Sequence, residues 1–384
     1  MSQYRKSLGL SDLISFGIGG TIGSGIFVVP GIAAGIAGPG SLLAWLLVAL
    51  SATCVMFSLA WASSKYPSTG AFYSIYSSVF GKRLSATIVV LYTISAVFGI
   101  ATIAAGIGQY VSYLGYSDIL RVEIGVIIFF AAVNIIGARP SSNIEMILTL
   151  LKTIPLVILA FLLVPHMRLE NFTPFFTGNT NDFLRTVIIV YWCFTGFEIS
   201  AIPADETKNK NDIHRSLIMV MLIVTFVYLF LNITLMGSLG SLVIASSPAP
   251  LAKAASIAVK SSGNIMAFIG IIAMMSALNA YLLAASRVLQ NISFEYRLPF
   301  VSDIGKNGTP FIAIMISAIA GASLLLFSNH FEQLATISVI TTLLPYLFIC
   351  ASALKMFDSL KIRIISTVGL LSTMVILVAS FLYH

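Results

Sequence analysis

Two ionisable residues stand where an apolar chain has little reason to put them. Glu198 closes the run Tyr191-Trp-Cys-Phe-Thr-Gly-Phe-Glu198, and Lys152 lies in LLKTIPL at 150–156. A carboxylate inside an apolar span is costly, so it is expected to act as a gate, a proton site or the partner of a cation. A buried amine that can give up its proton could load and release one in each working cycle. A third feature is the run Gly17-Ile-Gly-Gly-Thr-Ile-Gly-Ser-Gly-Ile-Phe27. Each glycine weakens a helix by about 1 kcal/mol relative to alanine, so a continuous helix is not expected here. A break frees backbone groups, which membrane depth tolerates only around a polar ligand or a water-filled cavity. The N-terminal end of a half-helix attracts a carboxylate, and freed carbonyls accept bonds from an ammonium. An amino acid zwitterion fits that pair of ends.

Each feature also has a plainer explanation. Gly19 and Gly23 have the spacing of close helix packing, Glu198 could be hydrated from one mouth of the bundle, and Lys152 could snorkel toward the surface. Trp192, Tyr92 and Tyr346 lie within apolar stretches rather than at interfaces, and any one alone reads as packing. His166, His214, His330 and His384 fall in loops or at the terminus, so neither metal nor proton relay is assigned to them. Cys54, Cys193 and Cys350 are far apart without C-x-x-C spacing, so no disulfide framework or zinc site is expected. Neither H-E-x-x-H nor G-x-S-x-G occurs, which argues against an intramembrane hydrolase or acyltransferase, and no strand precedes the glycines as dinucleotide binding requires. No cofactor is expected.

The elements that must hold these residues follow from composition. Of 384 residues, 58% are hydrophobic and 9% charged, against about 25% charged in a soluble domain. A water-facing surface cannot be built from such a chain, which rules out a soluble enzyme or a nucleic-acid binder. Taking about 20 apolar residues per crossing, helices are predicted at 11–36, 41–63, 85–114, 122–138, 143–164, 183–203, 213–239, 262–291, 309–328, 331–354 and 361–382. The first is longer than the apolar part of a cleaved signal and is expected to stay in the mature protein. Lys152 then lies about 13 Å deep in the fifth helix, and Glu198 about 18 to 22 Å along the sixth.

With the N-terminus inside, fifteen of the 21 basic residues, from Arg5 to Arg363 and including Arg139, fall in inner segments. Arg121, Arg168, Arg185, Lys253 and Lys260 fall outside, which is the bias that sets orientation. The N-terminus is therefore expected in the cytoplasm and His384 outside, in a multi-pass protein of the cell membrane. The formal charge of +7 belongs mostly to the inner face and needs no nucleic acid to explain it.

Helices 1 to 5 and 6 to 10 match as halves. The first of each is interrupted, by Gly19, Gly20, Gly23 and Gly25 or by Thr195 and Gly196, and each is followed by a proline, Pro30 or Pro203. Each half also carries a proline-containing segment too polar to span, 64–83 inside and 241–260 outside. The pattern predicts an all-α membrane domain over 1–384, an inverted 5+5 repeat (1–164 and 183–354) with an extra helix at 361–382.

The pieces GTIGSGIFVVP at 20–30, KYPSTGAFYSI at 65–75, LLKTIPL at 150–156, FTGFEISAIPADETKNKND at 194–212, SALNAYLLAASR at 276–287 and LLPYLFICASAL at 343–354 resemble, in order, the amino acid/polyamine/organocation transporter superfamily. Within it the likeness is to the basic amino acid/polyamine antiporter branch, which includes the arginine/agmatine antiporter. The resemblance implies a secondary transporter working by alternating access. It implies a substrate carboxylate against Ser24 and Gly25, and an α-amino group near Ile22, Trp192 and Thr195. Trp192 matches a gating tryptophan, Tyr92, Glu198 and Tyr346 match an inner gate, and Ser338 matches a polar binding residue of the tenth helix. Ile100 and Ala280 align with residues that hold an arginine side chain, so a smaller or more apolar substrate is expected, with a polyamine or cationic amino acid antiporter as the alternative. Lys152 resembles the fifth-helix lysine of proton-coupled, sodium-independent members. The family's twelfth helix is not seen, which leaves the oligomeric state open.

Overall fold

The structure is a computed structural model that describes residues 6–66 and 72–382, without the side chains of 138–141. Arg5, His384, residues 67–71 of the first proline-containing segment and the side chain of Arg139 lie outside the described residues. Most of the rest is helical, and among the described residues there is no strand beyond one isolated bridge.

The chain folds as α1 (Leu10–Thr21), α2 (Ser24–Ala37), α3 (Ser41–Lys65), α4 (Phe72–Phe80), α5 (Lys82–Tyr113), α6 (Ile119–Ile136), α7 (Ala138–Leu163) and α8 (Thr180–Phe194). It continues as α9 (Asn211–Leu239), α10 (Ser241–Ala245), α11 (Pro250–Ala258), α12 (Gly263–Glu295), α13 (Phe311–Phe327), α14 (Phe331–Met356) and α15 (Leu360–Leu382). Nine described stretches are long and apolar enough to cross a membrane, and Phe311–Phe327 is a shorter apolar helix. The first stretch, Leu10–Lys65, is 56 residues long and covers two crossings. The eleven predicted helices are thus recovered, with boundaries moved by a few residues. The two polar segments hold α4 and the pair α10 and α11.

The first predicted helix is two helices, parted at Ile22 and Gly23. The sixth departs further from expectation, because beyond the break it does not resume as an α-helix. Gly196 takes a left-handed φ of 101°, and the chain runs on as 3₁₀ turns at Phe197–Ala201 and Ala204–Glu206. A side chain is strained at that φ, and Pro203 has no N–H to continue an α ladder.

α1, α2 and α8 form the centre, enclosed by α3, α5, α7, α9, α12 and α14. Large apolar side chains face outward around this bundle, among them Leu222 (67% exposed), Phe268 (58%) and Val375 (63%). Lys152, Glu145, Glu198 and Arg287 are instead buried within it. This inversion is what a lipid solvent requires.

At the end where α1 begins, Ser7 N and Leu8 N donate to Glu206 O at 2.9 and 3.0 Å, and Lys208 N donates to Leu8 O at 2.9 Å. The same end holds the bond from Thr309 Oγ1 to Ile135 O. At the far end Arg168 N donates to Gly237 O at 2.8 Å.

Candidate functional site

The two helix breaks meet at the centre. A Cβ on Gly196 would lie 2.6 Å from the carbonyl of Gly20, so the backbones touch with no room for a side chain. No side chain caps α2, and the N–H groups of Ser24, Gly25 and Ile26 have no partner within the helix. On the other side of the break, Thr21 O accepts from Tyr228 Oη at 2.6 Å, and Gly19 O accepts from Lys152 Nζ at 2.9 Å.

A small cavity of about 10 Å³ lies beside the break, lined by Thr21, Ser24, Gly25, Ile103, Trp192, Ala277 and Tyr281 among others. That is room for about one water. Trp192 Nε1 donates to Ser24 Oγ at 3.3 Å, and the Trp192 and Tyr281 rings are 5.9 Å apart. Thr195 Oγ1 lies 3.1 Å from Tyr281 Oη. Of the residues singled out in the sequence, Ser24, Gly25 and Trp192 line this cavity, while Ile22 and Thr195 are buried at the two breaks. Ser338 is elsewhere: its hydroxyl donates to Ser95 O at 2.9 Å in a clasp between α5 and α14 that also holds Thr342. The lining of this cavity differs from the aligned positions. Ile100 faces Gly321 of α13, and Ile103 and Ala277, each three residues away, line the cavity in place of Ile100 and Ala280. Tyr281 was missed because one aromatic in an apolar span reads as packing.

Gly25 has a second role. A Cβ there would lie 2.8 Å from Cys193 Cα, so the glycine also lets α2 approach α8. Gly25→Leu is expected to abolish substrate binding, by parting these helices as well as by filling the place offered to a carboxylate. Equilibrium binding to purified protein checks this, and wild-type affinity in the variant would remove Gly25 from the site.

Toward the α1 end, Tyr92, Glu198 and Tyr346 come together. Tyr92 Oη donates to Glu198 Oε1 at 3.0 Å, and Tyr346 Oη donates to Oε2 at 2.7 Å. Gly196 N also donates to Oε2, at 2.9 Å. The carboxylate thus joins α5, α14 and the second break. Below it Arg287 Nε and Glu206 Oε1 form a buried ion pair at 3.0 Å. At the far end a cavity of about 560 Å³, lined by Gln109, Arg185, His330, Phe331 and Glu332 among others, reaches down to Phe331.

Lys152 does not snorkel. It is fully buried, and besides Gly19 O its ammonium reaches Ser276 Oγ at 2.7 Å. The sequence reading missed its neighbour Glu145, also fully buried, which accepts from Ser276 Oγ and, at 2.8 Å, from Asn279 Nδ2. Glu145 lies one turn from the predicted start of its helix, where a carboxylate reads as a solvated end. Seven residues before Lys152, it shares the lysine's helix face, and that spacing was the available signal.

The sequence model of the amino acid permease family matches residues 8–383. The chain is similar to the inner membrane transport protein YbaT of Escherichia coli K12, 25% identical over 99% of this chain and 90% of that protein. It is similar to the vacuolar cationic amino acid transporter 8 of Arabidopsis thaliana, 24% identical over 92% of this chain. It is also similar to the S-adenosylmethionine permease SAM3 of Saccharomyces cerevisiae, 24% identical over 93% of this chain. The chain spans 63% and 67% of those two proteins' own lengths.

Proposed function

Because this chain belongs to the amino acid permease family, a family of transporters and not of enzymes, we propose that it carries a small amino acid across the cytoplasmic membrane by alternating access, driven by protons or by exchange. The observation that carries this reading is the meeting of the two helix breaks beside a cavity lined by Ser24, Gly25 and Trp192. The free N–H groups of α2 suit the substrate carboxylate, and the carbonyls freed near Ile22 and Thr195 suit its ammonium. Ile103 and Ala277 leave a small apolar wall for the side chain. Residues 1–164 and 183–354 serve as inverted halves, with α4 and the α10–α11 pair in equivalent places, and 361–382 is an added helix. The basic residues put the α1 end in the cytoplasm, which places the cavity of about 560 Å³ on the outer side. Trp192 closes the outer side, and Tyr92, Glu198 and Tyr346 close the inner side.

A cationic amino acid or polyamine antiporter is the second reading, supported by the names of the plant and yeast relatives. Against it, no acidic residue lines the small cavity, and Glu198 already accepts three hydrogen bonds. Proteoliposomes preloaded with each of the twenty amino acids and common polyamines decide between them. Saturable exchange of a small neutral amino acid is expected, exchange confined to polyamines or cationic amino acids would select the second reading, and non-saturable flux would mean a channel. In the same assay Trp192→Ala is expected to slow turnover while affinity stays within about tenfold, as for a gate.

A further inference from the structure

One face of α7 is polar from its first turn to the middle of the membrane, and every group on it meets α1 or α12. Ser142, Glu145, Thr149 and Lys152 are spaced three, four and three apart, which aligns them on a single face over about 15 Å. Asp12, Ser15 and Gly19 run opposite on α1 with matching spacing. Ser142 Oγ donates to Asp12 Oδ1. Thr149 Oγ1 lies 3.2 Å from Ser15 O and 3.4 Å from Glu145 Oε1. A Cβ on Gly19 would lie 1.8 Å from Glu145 Oε1, so the carboxylate sits directly against that glycine. Between the two ionisable groups Ser276 Oγ accepts from Lys152 Nζ at 2.7 Å and donates to Glu145 Oε1.

We propose that Glu145 is a second proton site of this transporter, joined to Lys152 through the Ser276 hydroxyl, and that this face of α7 carries the proton between the first helix break and the cytoplasmic end. The inference rests on the reading of Lys152 as a proton-coupling residue and adds the group to which its proton goes. The donors already point the right way. Lys152 loses an N–H proton to Ser276 Oγ as the serine passes its own proton to Glu145 Oε1, leaving a neutral amine and a neutral acid. Glu145 then releases that proton past Ser142 and the Asp12 carboxylate, and becomes an anion again. Asp12 on α1 and Lys152 on α7 are the charged groups of this face, and α12 and α6 bring the neutral Ser276, Asn279 and Asn134 to it. Arg287, two turns further along α12, is paired with Glu206.

The test uses proteoliposomes with the membrane potential held at zero and the amino acid that the exchange screen selects. A gradient of one pH unit drives about tenfold accumulation at one proton per substrate, since one unit is worth 1.36 kcal/mol. Glu145→Gln is expected to lower that ratio to about one while exchange at equal pH remains detectable, which shows a folded carrier. Ser276→Ala is expected to do the same and Ser276→Thr to restore accumulation, which keeps the proposal open to test if Glu145→Gln fails to fold. Full accumulation in Glu145→Gln or in Ser276→Ala overturns the proposal. If Lys152→Gln alone loses accumulation, the lysine reading survives without the relay. If none of the variants loses it, both fall.

Discussion

Replacing Lys152 is expected to uncouple transport. With an inward gradient of one pH unit and no membrane potential, the wild type should approach about tenfold accumulation at one proton per substrate, and Lys152→Ala should only equilibrate. The cause is geometric. The ammonium holds Gly19 O at 2.9 Å, the carbonyl that the break in helix 1 leaves without a helical partner. A protonated amine has three donors, whereas a neutral one has fewer and an electron pair in their place. Protonation therefore favours the arrangement in which α1 is held against α7, and loss of the proton releases it. A ligand shifts a conformational equilibrium only through unequal affinity for the two states, and on the proposed reading the proton is the ligand that binds one of them better. Alanine leaves Glu145 without its counter-charge, so lower yield is expected as well. Lys152→Gln keeps a donor for Gly19 O and carries no proton, which separates coupling from stability. Tenfold accumulation in Lys152→Gln would end the coupling role.

The elements of this fold were legible because lipid makes a simple demand. Any crossing needs about 20 apolar residues with their backbone groups bonded internally, so hydropathy alone located the helices. The breaks were legible for the same reason, since Gly17 to Gly25 and Thr195-Gly196 are sequences that a continuous helix disfavours. The form of the second break was not. Whether the chain resumes as an α-helix or as 3₁₀ turns depends on Gly196 packing against Gly20, a contact between residues 176 positions apart. The cavity beside the break is lined by Ile103 and Ala277, three residues from the aligned Ile100 and Ala280. Glu145 escaped for a different reason. Burial of a charge near a helix end is decided by what packs over it, here α1 and α12.

The largest effect on stability is expected at the end where α1 begins. Arg287 and Glu206 are 0% and 1% exposed and 3.0 Å apart. The same Glu206 offers its backbone oxygen to Ser7 N and Leu8 N, so one residue ties the entering chain to the 3₁₀ turns and to α12. Removing one partner of such a pair leaves a bare charge where water cannot reach it, at a cost of about 3–5 kcal/mol. Arg287→Ala should therefore lower the thermal midpoint in detergent by several degrees. Replacing both partners by apolar side chains of similar volume is often close to neutral. Arg287→Met with Glu206→Leu should then recover most of the stability, although the ion pair that joins the 3₁₀ turns to α12 is gone. The two losses can be read separately. A cysteine placed at Ala204, buried in the same 3₁₀ turn as Glu206, should react faster with a thiol reagent in the double variant than in the wild-type background, even at equal thermal midpoint. Arg287→Ala as stable as the wild type would mean that water reaches this pair.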